Sequence, residues 1–292
     1  MKENVSAKRM QITSMLIFGT IGLFVRAIPL SSGEIALYRS VLAIAAVGVF
    51  LLISRRKIDI KSIGRELILL AISGIAMALN WVFLFEAYNY TSISLATVSY
   101  YFAPVVVILL SPILFKEKMG TKKWVCSIAA TVGLILIIGV SVGAGENHLI
   151  GILFGLTAAL LYATVILLNK AIRRVGGIER TFLQFVSSLL VLVPYVLLTD
   201  GINVTSLDTK EIFMLLIVGL VHTGVTYCLY FSSLGKLSGQ SAALLAYVDP
   251  LVAVLASVFI LNESMTVWQI VGALLVLGFT AINEIELKRI QR

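Results

Sequence analysis

The sequence predicts an all-α membrane protein, with ten transmembrane helices in two inverted five-helix repeats. Three observations carry that prediction: the composition, an internal repeat and the placement of the basic residues. The 292 residues are 59% hydrophobic and 13% charged, with a mean hydropathy of +1.02. A soluble domain carries about 25% charged residues, so this chain lacks the polar surface to cover a water-soluble globule.

The repeat is read directly. Residues 100–119 are YYFAPVVVILLSPILFKEKM and residues 246–265 are AYVDPLVAVLASVFILNESM. At an offset of 146, Pro104 meets Pro250, Glu117 meets Glu263, Met119 meets Met265 and Trp81 meets Tyr227. Ser92–Ala96 (SISLA) meets Ser238–Ala242 (SGQSA), and at an offset of 145 Glu34 meets Glu179 and Arg39 meets Gln184. The chain therefore divides into residues 1–145 and 146–292, one copy each. In so apolar a chain, a duplication of this kind points to a transporter built from two related halves.

A bilayer core needs roughly 20 apolar residues per helix. Runs of that kind fall at 11–30, 34–54, 65–87, 92–115 and 121–140 in the first copy. The second copy supplies 149–171, 178–199, 211–234, 239–261 and 266–285. The cuts between runs are shortest at Ser31, Thr91 and Asn262. With a cytoplasmic N-terminus, basic residues collect on one side: Lys2 to Arg9, Arg55 to Arg65, Lys116 to Lys123, Lys170 to Arg180, Lys236, and Lys288 to Arg292. Of all 23 Lys and Arg, only Lys210 falls outside, while Arg26 and Arg39 lie at or within spans. That asymmetry supports ten spans with both termini cytoplasmic, and the expected location is the cell inner (plasma) membrane. Five spans per copy is an odd number, so the copies are inverted and a substrate is expected near the midplane between them.

The net charge of +8 is explained by those inner clusters, and no aromatic-plus-basic segment points to nucleic acid. Cys126 and Cys228 read as small apolar residues rather than a disulfide framework. Lys2, Lys8 and Arg9 precede an apolar run with no cleavage pattern, so the first helix is expected to stay. There is no phosphate-cradling glycine loop, HExxH or nucleophile elbow. No enzyme, cofactor or metal is expected, and ATP-driven transport would need a separate subunit. Small-residue pairs (Gly139 with Gly143, Gly151 with Gly155) allow close helix approach within the fold or at a homodimer contact.

Two five-helix halves, the early second-helix Arg39 in LYRSVLA, and the run SxSLA…P…E…G closing each half resemble the EamA domain of the drug/metabolite transporter superfamily. The resemblance covers nearly the whole chain. It implies the fold and a transport function, with export the expected direction, but no particular substrate. Gln184 stands where the second half would carry an arginine, which implies unequal roles for the halves.

Ionisable residues within hydrocarbon cost roughly 2.5–3.5 kcal/mol on insertion scales, so they should face a cavity or a partner. The candidates are Arg26, Arg39, Glu86, His222 and Asp249. Arg26, Arg39 and Glu86 share a depth near the outer ends of helices one to three. They suit a gate in which Glu86 pairs with one arginine and the other meets an anionic group such as a substrate carboxylate. Structurally, Arg39 also opens its helix beside Glu34. Asp249 precedes Pro250 in the middle of helix nine, where a distorted backbone exposes carbonyls. His222, Thr226 and Tyr230 form a polar stripe at i, i+4 and i+8, and Thr226 is the repeat partner of Asn80. Trp81, Tyr101, Tyr227 and Tyr247 are the aromatic candidates, Tyr101 and Tyr247 each lying three residues before a repeated proline. Packing within the core is the competing explanation for each.

These residues support a transporter of a small polar or amphipathic metabolite, an amino acid or similar, working by alternating access and driven by the solute gradient, exchange or protons. The alternatives are an importer of a nutrient or cofactor precursor on the same fold and a non-transporting membrane scaffold.

Overall fold

The computed structural model describes residues 2–25, 27–55, 58, 63–90, 99–116, 120–138, 148–199, 201–261, 267–268, 270–272, 274–275 and 278–279. Among these the regular structure is helical, with no strand. The first copy supplies α1 (Lys2–Phe18), α2 (Ile21–Val25), α3 (Ser32–Ile53), α4 (Arg65–Tyr90), α5 (Ala103–Phe115) and α6 (Thr121–Ile138). The second supplies α7 (His148–Ala171), α8 (Gly177–Thr199), α9 (Thr209–Ile217), a π-helical segment (Val218–Val225), α10 (Thr226–Leu234), α11 (Gly239–Ala246) and α12 (Val248–Leu261).

Five of these stretches are long and apolar enough to cross a membrane: Ser32–Ile53, Arg65–Leu84, Ile150–Ala171, Gly177–Thr199 and Thr209–Leu234. Their outer faces fit hydrocarbon, since Leu52 is 79% exposed and Leu198 is 85% exposed. Exposed apolar area on this scale is foreign to a soluble monomer. The other described helices are shorter or interrupted. Most of the predicted tenth span, 266–285, lies outside the described residues, as do Glu117, Met119, Glu263, Met265, Gly139 and Gly143.

Helix starts are set by local chemistry. The Ser31 side chain accepts from the Glu34 backbone N–H at 3.1 Å and caps α3. Asp208 and Glu211 form a reciprocal capping box at the start of α9, both bonds at 2.7 Å. Glu34 also accepts from the Asn203 backbone N–H at 2.6 Å and from Asn203 Nδ2 at 3.2 Å, tying the start of α3 to the α8–α9 connection.

The core forms where helices cross. α4 lies along α7 and α8, α8 also packs on α3, and α1 packs on α10. Gly74 makes the α4–α8 crossing: a Cβ there would stand 2.7 Å from Ser187 Cβ and would overlap the Gln184 carbonyl. The π segment lies on α3 through glycine. A Cβ at Gly219 would be 2.6 Å from Leu42 Cβ, and one at Gly224 3.7 Å from Ala43 Cα.

Two predicted spans are corrected. The first does not run unbroken from 11 to 30: α1 starts at Lys2, and the chain turns at Gly19 and Thr20 before α2. Helix nine is broken at Tyr247, so Pro250 sits in the first turn of α12 rather than mid-helix. That is the position proline tolerates, because its missing N–H would have no intrahelical acceptor there.

Candidate functional site

Four interruptions of helical backbone meet at one place, and each has a local cause. Before α5 the chain turns at Tyr101 and Phe102, with Pro104 in the first helical turn. Before α12 it turns at Tyr247, with Pro250 equivalently placed. In both turns a backbone N–H reaches back three residues, Phe102 to Ser99 and Tyr247 to Leu244, each at 3.2 Å. The third interruption is the Gly19–Thr20 turn, and the fourth is the π segment, where Thr223 and Thr226 hydroxyls donate five residues back, to Val218 and Val221 at 2.7 and 2.8 Å.

Side chains and close backbone approach join them. A Cβ on Gly19 would lie 2.6 Å from the Asp249 carbonyl oxygen, so only glycine lets the first turn lie against α12. Thr20 Oγ1 and His222 Nε2 are 3.0 Å apart, linking that turn to the π segment. The Tyr101 hydroxyl donates to the Asp249 carboxylate, linking the two proline-led helices. Irregular backbone within a membrane is tolerated where it is buried in protein or lines a cavity, and discontinuous helices commonly build substrate sites.

An aromatic tier fills the space among them. Tyr227 packs edge-on against Phe18, Trp81 and Phe185, with ring centres at 4.9, 6.3 and 5.2 Å. Tyr100 stacks on Tyr162 at 5.5 Å and meets Tyr101 at 5.4 Å, and the Tyr162 and Tyr230 hydroxyls are 3.1 Å apart. Tyr227, Tyr230 and Tyr247 are buried, whereas Tyr100, Tyr101, Tyr162 and Asp249 are half-buried and form the accessible wall.

Arg39 projects into this tier. Its guanidinium carbon lies 4.1 Å from the Trp81 ring centre, a cation–π contact, and it hydrogen-bonds to Tyr227. The side chain is 8% exposed, and its buried Nε has no hydrogen-bond partner. A buried donor left without a partner costs about 1–3 kcal/mol, a cost that an acceptor placed there would offset.

The expected residues are therefore partly brought together. Arg39, Trp81, Tyr101, Tyr227 and Asp249 share the tier, and His222 borders it through Thr20. Asn80 is turned away: its Nδ2 donates to the Ala158 carbonyl at 2.7 Å, holding α4 to α7. Tyr247 is fully buried, its hydroxyl 2.9 Å from Thr131 Oγ1. Arg26 lies outside the described residues. Arg39 does not pair with Glu34, whose carboxylate is taken by Asn203 and, at 3.4 Å, by Tyr38. Glu86 accepts from the Tyr195 hydroxyl at 2.9 Å, while Arg39 faces the aromatic tier instead. The His222–Thr226–Tyr230 stripe is split because the π segment carries more residues per turn than an α-helix. Its members reach Thr20, Val221 and Tyr162 respectively.

Sequence reasoning missed the polar core around Gln184. Gln184 Oε1 accepts from Ser73 at 2.8 Å and from Asn169 at 3.1 Å, and Gln184 Nε2 donates to Asn169 Oδ1 at 2.7 Å. Asn169, a polar residue in an apolar run, was the available signal.

Comparison with known proteins places this architecture. The model of the EamA-like transporter family matches twice, over residues 10–139 and 149–283. The chain is similar to "Uncharacterized transporter YxxF" of Bacillus subtilis (strain 168), 29% identical over 97% of this chain and 90% of that protein. It is also similar to a "Probable amino-acid metabolite efflux pump" of Salmonella typhimurium, 25% identical over 60% of this chain and 61% of that one. A solved crystal structure shares the fold at a TM-score of 0.83 with 16% identity, covering 96% of this chain and 98% of that one. This multi-pass membrane protein belongs to the EamA-like transporter family.

Proposed function

We propose that the protein exports a small zwitterion of the amino-acid kind across the cytoplasmic membrane, by alternating access. The observation that carries this reading is the pairing of opposite charges on one aromatic tier. Arg39 offers an unmade buried donor, suited to a carboxylate, and half-buried Asp249 offers an acceptor, suited to an ammonium group. Tyr227 hydrogen-bonds to Arg39 and lies within electrostatic range of Asp249, so both charges border one site. Trp81, Tyr100 and Tyr101 supply flat apolar surface for the solute's body. Similarity to probable amino-acid metabolite efflux pumps supports both the class and the direction.

The topology that goes with it has ten spans, two inverted halves and both termini in the cytoplasm, a reading that the basic-residue asymmetry supports. The halves rock about the tier. The Gly19–Thr20 turn, held to His222, is the joint that moves with substrate occupancy, and Glu86 belongs to the outer gate.

The test is counterflow in proteoliposomes with a panel of radiolabelled amino acids and related amines and acids. Uptake of zwitterions, but of neither the matched amine nor the matched acid, is expected. Equal exchange of all three, or exchange of none, overturns the reading. Direction is read separately in a deletion strain: accumulation of the solute inside cells supports export, and loss of its uptake identifies an importer.

A further inference from the structure

A second feature lies toward the C-terminal end of α10, beyond the aromatic tier. It is a cavity of about 780 Å³ between the α7–α8 connection and the ends of α5 and α10. Lys170, Arg173, Arg174, Arg180 and Lys236 line it, with Phe115 on the apolar side and no acidic residue among the described lining, the Glu179 carboxylate lying against Gly176 at its edge.

The cavity is built rather than incidental. Arg180 is 3% exposed, and its two terminal nitrogens donate to the carbonyls of Asn169, Ile172, Val175 and Phe231 at 2.7–3.4 Å. Its Nε stays buried with no hydrogen-bond partner. Glu66 accepts from the backbone N–H groups of Arg173 and Arg174 at 3.0–3.2 Å. That carboxylate fixes the connecting loop from behind, while Arg173, Arg174 and Lys236 remain exposed. Gly177 packs against Ser232, closing the floor where any Cβ would collide with it.

We propose that this cavity binds a phosphate-bearing anion, either the headgroup of an anionic phospholipid or a soluble organophosphate. Several guanidiniums converging with a lysine match the multiple acceptor oxygens of a phosphate, and basic pockets between helices at a membrane face recognise such headgroups. The volume exceeds that of inorganic phosphate, so the anion carries an organic body against Phe115. The site is separate from the tier and does not depend on the zwitterion reading.

The experiment measures thermal unfolding of the full-length protein in nanodiscs. Discs of phosphatidylcholine alone, with inorganic pyrophosphate titrated in, form one arm. Discs containing phosphatidylglycerol, without pyrophosphate, form the other. Stabilisation by pyrophosphate assigns a soluble ligand, and stabilisation by phosphatidylglycerol alone assigns a lipid. In either case the combined Arg173→Gln, Arg174→Gln, Lys236→Gln variant should weaken the effect about tenfold or more. Lys210→Gln, remote from the cavity, should leave it unchanged. Should the triple variant misfold, Arg173→Gln and Lys236→Gln are tested singly, both at exposed positions. No stabilisation in either arm, or stabilisation undiminished in the variants, overturns the proposal.

Discussion

Arg39 in α3 and Gln184 in α8 stand at corresponding positions of the sequence repeat, and the protein treats them in opposite ways. Gln184 closes a circuit with Asn169 and Ser73, in which each side chain has a partner. Arg39 lies under Trp81 and beside Tyr227 with Nε unmade. A satisfied buried network rigidifies its surroundings. A buried cation with a spare donor is a cost to the empty fold that a ligand can offset. The comparison teaches that duplication supplied two equivalent places for a polar residue. One is satisfied by its own neighbours, while the other keeps a buried donor without a partner.

The sharpest way to break this contrast is to make the two places alike. Arg39→Gln should lower transport about 30-fold or more, since losing one partner of a buried charge contact costs about 2–5 kcal/mol. Its thermal stability should hold or rise, because a buried guanidinium no longer has to be desolvated. A variant that transports normally, or that melts well below the parent, would remove Arg39 from the site.

Gln184→Ala should show the reverse pattern. It leaves Asn169 Oδ1 and the Ser73 hydroxyl proton without the partners that Gln184 supplied, at about 1–3 kcal/mol for each buried group left unsatisfied, while Asn169 Nδ2 keeps Ser73 Oγ and the Val165 carbonyl. The melting temperature in detergent should fall clearly, while transport per folded molecule stays near the parent value. Selective loss of transport with unchanged melting would mean that the two positions share a role after all.

Gly74→Ala probes the same scaffold by sterics rather than by polarity. The added Cβ meets Ser187 and the Gln184 carbonyl, and overpacking of this kind costs about 1–3 kcal/mol. Destabilisation smaller than that of Gln184→Ala is expected, and the double variant should show coupling, because the helix shift that admits the Cβ moves Gln184 itself.

Much of the fold was legible because spanning helices announce themselves by length and hydropathy: α3, α4, α7 and α8 fall close to their predicted runs. The interruptions were not. A turn at Gly19–Thr20 and a π segment over Val218–Val225 leave the apolar content of a run unchanged, and what sets them is tertiary: close approach to Asp249 and to α3. Pro250 is expected as a distortion in the middle of helix nine, yet it lies in the first turn of a new helix, as Pro104 does, a distinction that depends on where the preceding helix stops. For the candidate site, residue type singles out Arg39, Asp249, Trp81 and Tyr227, which the fold brings to one tier. Depth alone does not say which partners they face: Glu86 accepts from the Tyr195 hydroxyl, and Arg39 lies over Trp81 in the aromatic tier.

The smallest expected effects come from the two tyrosines that mark the proline-led breaks. Tyr101 donates to Asp249 on the half-buried wall, whereas Tyr247 is fully buried against Thr131. Removing one hydroxyl by Tyr101→Phe should cost about 1 kcal/mol of substrate interaction, roughly fivefold in transport, through a loosened Asp249 carboxylate. Melting should barely change, because the half-buried carboxylate can turn to water. Tyr247→Phe should act on stability alone and only weakly, by about 0.5–1.5 kcal/mol. The Thr131 hydroxyl keeps its bond to the Ser127 carbonyl at 2.9 Å, so no buried donor is stranded. Side-by-side transport and melting measurements on the two variants decide the matter. If Tyr247→Phe loses transport while Tyr101→Phe does not, the accessible wall has been assigned to the wrong break, and the substrate would have to approach from the α6 side of the tier.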